Sequence, residues 1–167
     1  SYEKKLSIDE DYRSNKNQKL ERFLSPLSQS NNFKFNKFLR ELTKNKNKSL
    51  LTLEIKGRKL KIKNFYEGIS KFNFEELCNT NIGSEDYIKI ADNSNFIFIE
   101  NLPNFNENNS NQQQRFITLI DIVYEKKIPL MILSEVDLKY IGSAKSLSKI
   151  FKRTTSRLHE LTSLSFK

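Results

Sequence analysis

Glycine is scarce in this sequence, with 4 residues in 167. A Walker A loop needs G-x-x-x-x-G-K-[ST], and a dinucleotide-binding turn needs G-x-G-x-x-G, because both bring backbone amides close to phosphate oxygens. The glycines stand too far apart for either pattern, at Gly57, Gly68, Gly83 and Gly142. The chain therefore has no phosphate-cradling loop of its own.

Cysteine and histidine occur once each, as Cys78 and His159. A single cysteine cannot form an internal disulfide, which fits a reducing compartment, and we expect its side chain to be a small buried apolar group. One residue of each type also excludes a zinc cluster. No metal site is therefore expected in this chain.

Long apolar runs are missing as well. No stretch approaches the ~20 apolar residues that a membrane-spanning helix requires. The first five residues, SYEKK, contain neither an initiator Met nor a signal-peptide pattern. We therefore expect the sequence to be a piece cut from a longer protein.

The chain does contain enough apolar material for a core, because 37% of its residues are hydrophobic, including 13 Phe and 6 Tyr. Its size predicts one compact unit, or a domain with a small appendage. The net charge of +9 is compatible with an anionic partner. The lysines are spread along the sequence, so we do not expect a dedicated nucleic-acid surface.

The fold prediction rests on residues 96–134. Residues 96–99 and 130–133 are short apolar runs, typical of strands buried on both faces. A helix between them is predicted from an apolar face at helical spacing, formed by Phe116, Leu119, Ile120 and Val123. A helix between two such strands predicts a parallel β-α-β unit and an α/β fold class.

Flanking segments add a hairpin and further helices. Alternation over residues 51–62 around Gly57 predicts an inserted β-hairpin whose turn uses the positive φ that glycine tolerates. Extended segments are predicted over residues 6–12, 22–27 and 66–74, and helices over residues 29–44, 74–78 and 154–164, with one more beginning at Ser84.

Helix caps are expected at Ser84 and at Ser110 or Asn111, and inward side chains at Ile88 and Ala91. The predicted division is a linking strand and helix (1–48), a hairpin insertion (49–73) and an α/β unit with a C-terminal helix (74–167).

Polar residues follow both central strands, and they are one candidate for a nucleotide-binding edge. Glu100 and Asn101 end the first strand, and Ser134 ends the second. An acid and a small polar residue at these ends resemble the magnesium and sensor strands of a nucleotidase, since ligands bind at the carboxyl ends of parallel strands. Polar residues also end buried strands in general, and we favour that simpler interpretation.

Two arginines in the last helix are a second candidate. Arg153 and Arg157 are four residues apart and lie on one helix face, where planar guanidinium groups suit a phosphate. The alternative is a plain pairing of Arg157 with Glu160.

Four pieces of the sequence, taken in order, resemble one family, the ZapE cell-division ATPases and their mitochondrial AFG-one-like relatives. They are FEELC at 74–78, G-x-x-D-Y at 83–87, RFITLID with YE at 115–125, and F-x-R-T with SRL at 151–158. DYR at 11–13 and the hairpin GR at 57–58 also match. The resemblance covers the C-terminal half of the family.

The resemblance implies an AAA+-type, P-loop ATPase fold, with the Walker A and Walker B motifs upstream of this chain. ATP and Mg²⁺ would be used by the full-length protein, and this chain alone would be inactive. From the chemistry of arginine rather than from a family motif, Arg153, Arg157 and Arg115 are the candidates for arginines that sense or stabilise the γ-phosphate, in the same or a neighbouring subunit. Gln114 departs from the family, which usually has a second arginine there, and this weakens a paired-arginine site at Arg115.

The resemblance also implies a protein client. In bacteria the family acts in the cytoplasm on tubulin-like FtsZ division filaments, and its eukaryotic members are mitochondrial. A homo-oligomer is a further expectation. The alternative is a non-enzymatic basic module for nucleic acid or an acidic protein, which clustered lysines with exposed aromatic rings between them would favour.

Overall fold

The computed structural model describes residues 21–166, so the strand expected over residues 6–12 lies outside the described part. Its strands are β1 (Phe23–Leu24), β2 (Ser49–Ile55), β3 (Arg58–Tyr66), β4 (Ile69–Asn73), β5 (Phe96–Leu102) and β6 (Leu130–Ser134). Its α-helices are α1 (Gln29–Leu42), α2 (Phe74–Cys78), α3 (Ser84–Asp92), α4 (Ser110–Glu125) and α5 (Ser148–Leu161). Short 3-10 turns precede α4 at Glu107–Asn109 and α5 at Lys145–Leu147.

The strands form one six-stranded sheet in the order β1-β6-β5-β4-β3-β2. Strands β1, β6, β5 and β4 run parallel, while β3 and β2 are antiparallel to their neighbours. The parallel β5-α4-β6 unit confirms the central prediction. The mixed α/β fold class is confirmed with it.

The hairpin forms around Lys56 and Gly57, which both have positive φ (45° and 81°). This confirms the predicted turn. The structure shows a second tight turn at Glu67 and Gly68, also with positive φ, so the strand predicted over residues 66–74 is divided between β3 and β4. Through this turn β3 pairs with β4, and the hairpin is continuous with the main sheet.

Two apolar cores pack on the two faces of the sheet. On one face α2 to α5 cover a large core that includes the four predicted residues of α4. On the other face α1 packs Phe35 and Leu39 onto Phe98 and Leu133, with Phe38 and Leu42 at the margin. The strands β5 and β6 supply side chains to both cores, which is why their sequences are continuous apolar runs.

Several local predictions were wrong. Ile88 is 42% exposed, because Tyr87, Ile90 and Ala91 form the buried face of α3. Ser84 is the first residue of α3 rather than its cap, and the Asp86 side chain accepts the Gly83 amide instead. The cap of α4 is Asn109, one residue before the expected position. The last helix begins at Ser148, six residues before Thr154.

No helix within residues 21–166 is both long enough and apolar enough to cross a membrane. The same residues contain no group of His, Cys, Asp and Glu side chains that could hold a metal ion.

Candidate functional site

The predicted arginine pair converges on one carboxylate. Arg153 and Arg157 lie one helical turn apart on α5, and both reach Asp121 on α4. The distance from Arg153 Nη2 to Asp121 Oδ2 is 3.5 Å, and Arg157 Nη1 donates a short hydrogen bond to Asp121 Oδ1. The structure therefore confirms that the two guanidinium groups share a face of α5.

An open groove of about 580 Å³ runs beside this cluster, between α3, α4 and α5. Its lining residues are Ile88, Asp121, Ile122, Glu125, Lys126, Arg153 and Arg157. The side chain of Arg153 is 56% exposed, whereas that of Arg157 is 25% exposed. Arg153 is thus the more accessible of the two guanidinium groups.

Tyr124 supports the inner side of the cluster. The Arg157 Cζ atom lies 4.5 Å from the centre of its ring, and Lys127 Nζ lies 3.5 Å from it, both within the range of cation–π attraction. Hydrogen bonding to Tyr124, together with Lys127, lowers the pKa of Glu160. The alternative pairing of Arg157 with Glu160 is absent among the described residues, since the ion pair of Glu160 is with Lys127 at 3.4 Å.

Arg115 lies elsewhere. Its Nη1 donates to the Cys78 backbone carbonyl at 3.0 Å, at the C-terminal end of α2, where a cation meets the negative end of the helix. It is not among the residues that line the groove. A role for Arg115 beside the other two arginines stays a prediction.

The strand-end candidates are engaged in local contacts. Glu100 forms an ion pair with Lys71 on the neighbouring strand at 3.4 Å, and Asn101 is exposed with φ of 62°. The buried Ser134 hydroxyl donates to the Val136 carbonyl at 2.7 Å and accepts from the Val136 amide at 3.2 Å. None of these residues lines the groove, so the structure does not bring the two predicted sites together.

A network of side-chain hydrogen bonds around Gln113 and Asn104, at the carboxyl edge of the sheet, was not predicted. The buried Gln113 donates to Ser143 Oγ at 2.7 Å and accepts from the Ala144 amide at 3.0 Å. Asn104 Oδ1 accepts the Gly142 amide at 2.6 Å, and a Cβ atom at Gly142 would lie 2.7 Å from the Phe105 carbonyl oxygen. These contacts fix the loop before α5 against the start of α4. No sequence pattern marks Gln113 for this role.

Asp121 was also missed as a site residue, although it lies in the segment 115–121 that carried the resemblance. It positions both arginines, because a carboxylate can accept hydrogen bonds on each oxygen. Arg153 uses one long contact, so most of its five donors remain available to an anion in the groove. The groove therefore offers free guanidinium donors next to the carboxylates of Asp121 and Glu125.

Comparison with known proteins decides the family. A family model described as AFG1-like ATPase matches residues 5–167. The chain belongs to the AFG1-like ATPase family. The resemblance in the sequence is confirmed, and the six-stranded α/β sheet is consistent with a P-loop ATPase-like fold.

Curated relatives of this AFG1-like chain include bacterial and animal proteins. Cell division protein ZapE of Escherichia coli is 28% identical over 141 residues, which cover 84% of this chain and 38% of ZapE. Lactation elevated protein 1 homolog B of Danio rerio is 31% identical over 86 residues, 52% of this chain and 17% of that relative. The chain thus spans well under half the length of these relatives. No solved structure matches it.

Proposed function

We propose that this chain is the C-terminal part of an ATPase, and that α5 supplies arginines which contact the γ-phosphate of ATP. The observation that carries the proposal is the family match over residues 5–167, combined with two arginines of the matched segment that border an open groove. The nucleotide would come from an upstream part of the same protein or from a neighbouring subunit of a homo-oligomer.

We expect ATP and Mg²⁺ to be held by upstream motifs, because the glycines of this chain are too far apart for a phosphate-cradling loop. This chain would then add charge stabilisation only. Arginine fingers contribute roughly 10³–10⁵ in rate in other nucleotidases.

The two arginines would divide this work unequally. Arg157 is fixed by Asp121 and by the face of Tyr124, so its guanidinium is already oriented. Arg153 is more exposed and makes only the long contact with Asp121. Arg153 is therefore the candidate for the direct phosphate contact. Arg157 is a candidate for holding the side chains that line the groove in position.

We further propose that ATP turnover remodels a protein partner, in bacteria at the division ring. The support is that a relative aligned over 84% of this chain is named a cell division protein. The FtsZ-like filament as client, and a mitochondrial setting for a eukaryotic protein, follow from the resemblance alone.

The test is ATP turnover by the full-length protein carrying Arg153→Lys or Arg157→Lys. Lysine keeps the charge but loses the bidentate fork. At least one variant should lower turnover about tenfold or more, a barrier rise of ~1.4 kcal/mol, with a nearly unchanged melting temperature.

Lys152→Gln is the matched control, because Lys152 is exposed on the same helix and does not line the groove. If the arginines act on phosphate, this variant should keep turnover close to that of the wild type. Wild-type turnover in both lysine variants would contradict the proposal. The cluster would then be only a structural contact that joins α4 to α5.

A further inference from the structure

The outer face of the hairpin carries three lysines that have no ion-pair partner among the described residues. Lys59, Lys61 and Lys63 alternate along β3 with the buried Leu60 and Ile62, so the three lysines share the face that points away from the large core. All three are exposed, and none forms an ion pair with a residue that the structure describes.

The other basic residues of the hairpin are already neutralised. At the turn, Lys56 pairs with Glu85 and Arg58 with Asp86, both on α3. The only acid on the hairpin is Glu54, which stands opposite Lys59 in the strand register. In the folded chain, the basic residues of the turn therefore have acidic partners, whereas the lysines on the outer face of the hairpin have none. This difference is not visible in the sequence, where the lysines are evenly spread.

In the part of the chain that the structure describes, no strand pairs with the edge of the sheet next to this face. Strand β2 ends the strand order, and its sequence SLLTLEI contains neither the lysine nor the proline that often protects an edge strand. Leu50 on this strand is 54% exposed. An extended segment can pair with the backbone of such an edge and place every second side chain on the lysine face.

Spacing and charge together define the occupant. Lysines two residues apart on a strand are separated by about 6.7 Å, which equals the spacing of alternate side chains in an added strand. The exposed aromatic residues of the described part are Phe33, Tyr140 and Phe166, and none lies on the hairpin. Single-stranded nucleic acid usually stacks its bases on such rings, so this face offers charge without a stacking platform.

We propose that β2 and β3 form a docking surface for an extended acidic segment of a partner protein. The segment lies along β2 with acidic side chains at every second position, directed towards Lys59, Lys61 and Lys63. This interaction does not require ATP turnover, and its test measures binding alone.

The probe is a fluorescent peptide of alternating glutamate and threonine, titrated with the 167-residue chain at low salt. Binding should weaken as salt is added, because exposed charges are screened. A peptide of the same composition with its glutamates in one block is the control for strand spacing, and it should bind more weakly.

The decisive variant changes Lys59, Lys61 and Lys63 to Gln. It should lower the affinity for the alternating peptide about tenfold or more, which corresponds to ~1.4 kcal/mol of binding free energy. The matched control changes Lys34, Lys37 and Lys44 to Gln, which removes the same net charge from the region of α1 and should leave the affinity within about twofold. An unchanged circular dichroism spectrum and melting temperature would show that both variants are folded.

Three results would overturn the proposal. One is equal loss of binding in the two triple variants, which would mean a response to net charge only. Another is equal affinity for the alternating and block peptides. The third is saturable binding of polythymidine, sensitive to the hairpin lysines, in place of the peptide, which would assign the face to nucleic acid.

Discussion

Arg58 and Asp86 connect the hairpin turn to the first turn of α3. The Asp86 side chain is 1% exposed, and its two oxygens accept from Arg58 at 2.5 and 2.7 Å. Burial is the largest single influence on Asp86 and favours the neutral acid. The hydrogen bonds from Arg58 and the Gly83 amide together outweigh it, and they hold the pKa of the carboxyl below its ordinary value.

Replacing Asp86 by Asn should therefore destabilise the chain in a pH-dependent way. At neutral pH we expect a loss of about 1.5–3 kcal/mol in the free energy of unfolding, the range for a hydrogen bond to a charged group. A carboxyl with a lowered folded pKa stabilises the fold above its unfolded pKa and loses this contribution as the pH falls. Denaturant unfolding should show the full difference between wild type and variant above about pH 4, the ordinary pKa of an aspartate. The two stabilities should approach each other as the pH falls from there through the lowered pKa of Asp86.

Glu85→Gln is the matched control, since Glu85 is the next residue and pairs with Lys56 on the surface. Its loss should be about 0–1 kcal/mol at neutral pH. Equal losses for the two variants would show that Asp86 gains nothing from its burial and its bidentate partner.

At the scale of elements, α4 is the test of the core. Leu119 is 1% exposed and packs in the large core, so Leu119→Ala should cost about 2–5 kcal/mol of unfolding free energy. Ile88→Ala on α3 is the comparison, because Ile88 is 42% exposed and a surface change should stay near ~0.5 kcal/mol. The measurement is denaturant unfolding, and a reversed order would contradict the burial of α4.

The sequence predicted those elements whose burial pattern is unambiguous. The runs of β5 and β6 and the apolar face of α4 left one interpretation, because each must be covered on its apolar side. Ile88 was wrongly predicted to be buried, because two apolar faces fit the helical spacing of α3. One face contains Ile88 and Ala91, and the other contains Tyr87 and Ala91. The choice depends on Tyr87, whose hydroxyl donates to the Leu77 carbonyl at 2.5 Å, and this contact lies outside the local pattern.

The start of α5 shows a different limit. Its first turn carries Phe151, which is buried on the same face as Leu158. Lys149, the 43%-exposed Ile150 and Lys152 surround it, so a single apolar residue extends the periodic face into this turn. The hydrogen bonds of Gln113 fix the loop that precedes α5. A tertiary contact of this kind produces no periodic pattern in the sequence. The arginine pair was predictable from its spacing, whereas its partner Asp121 was not, since only the packing of α4 on α5 brings them together.

At the scale of the whole molecule, the sheet joins the hairpin and the β-α-β unit without a break. The open groove and the lysine face lie on separate elements, α3 to α5 and β2 to β3 respectively. The chain belongs to the AFG1-like ATPase family, and its described part presents the arginine pair and the basic edge on these separate elements.

The isolated chain should not bind ATP, because it lacks the amide cradle and the lysine that hold the phosphates in a P-loop. Isothermal titration with Mg-ATP should give no saturable heat, whereas the full-length protein measured in parallel should. Micromolar binding to the isolated chain would mean that the nucleotide site includes residues of this segment.

Cys78 has a practical consequence for experiments on this protein. It is the only cysteine of the chain, it is fully buried, and burial raises the pKa of its thiol to about 12. Since the thiolate is the nucleophile that attacks thiol-reactive dyes, the native chain should be nearly inert to them. A cysteine introduced at Lys61 or at Ile88 would then carry the dye alone, and a pair of dyes at these positions would report the distance between hairpin and groove without any change to Cys78.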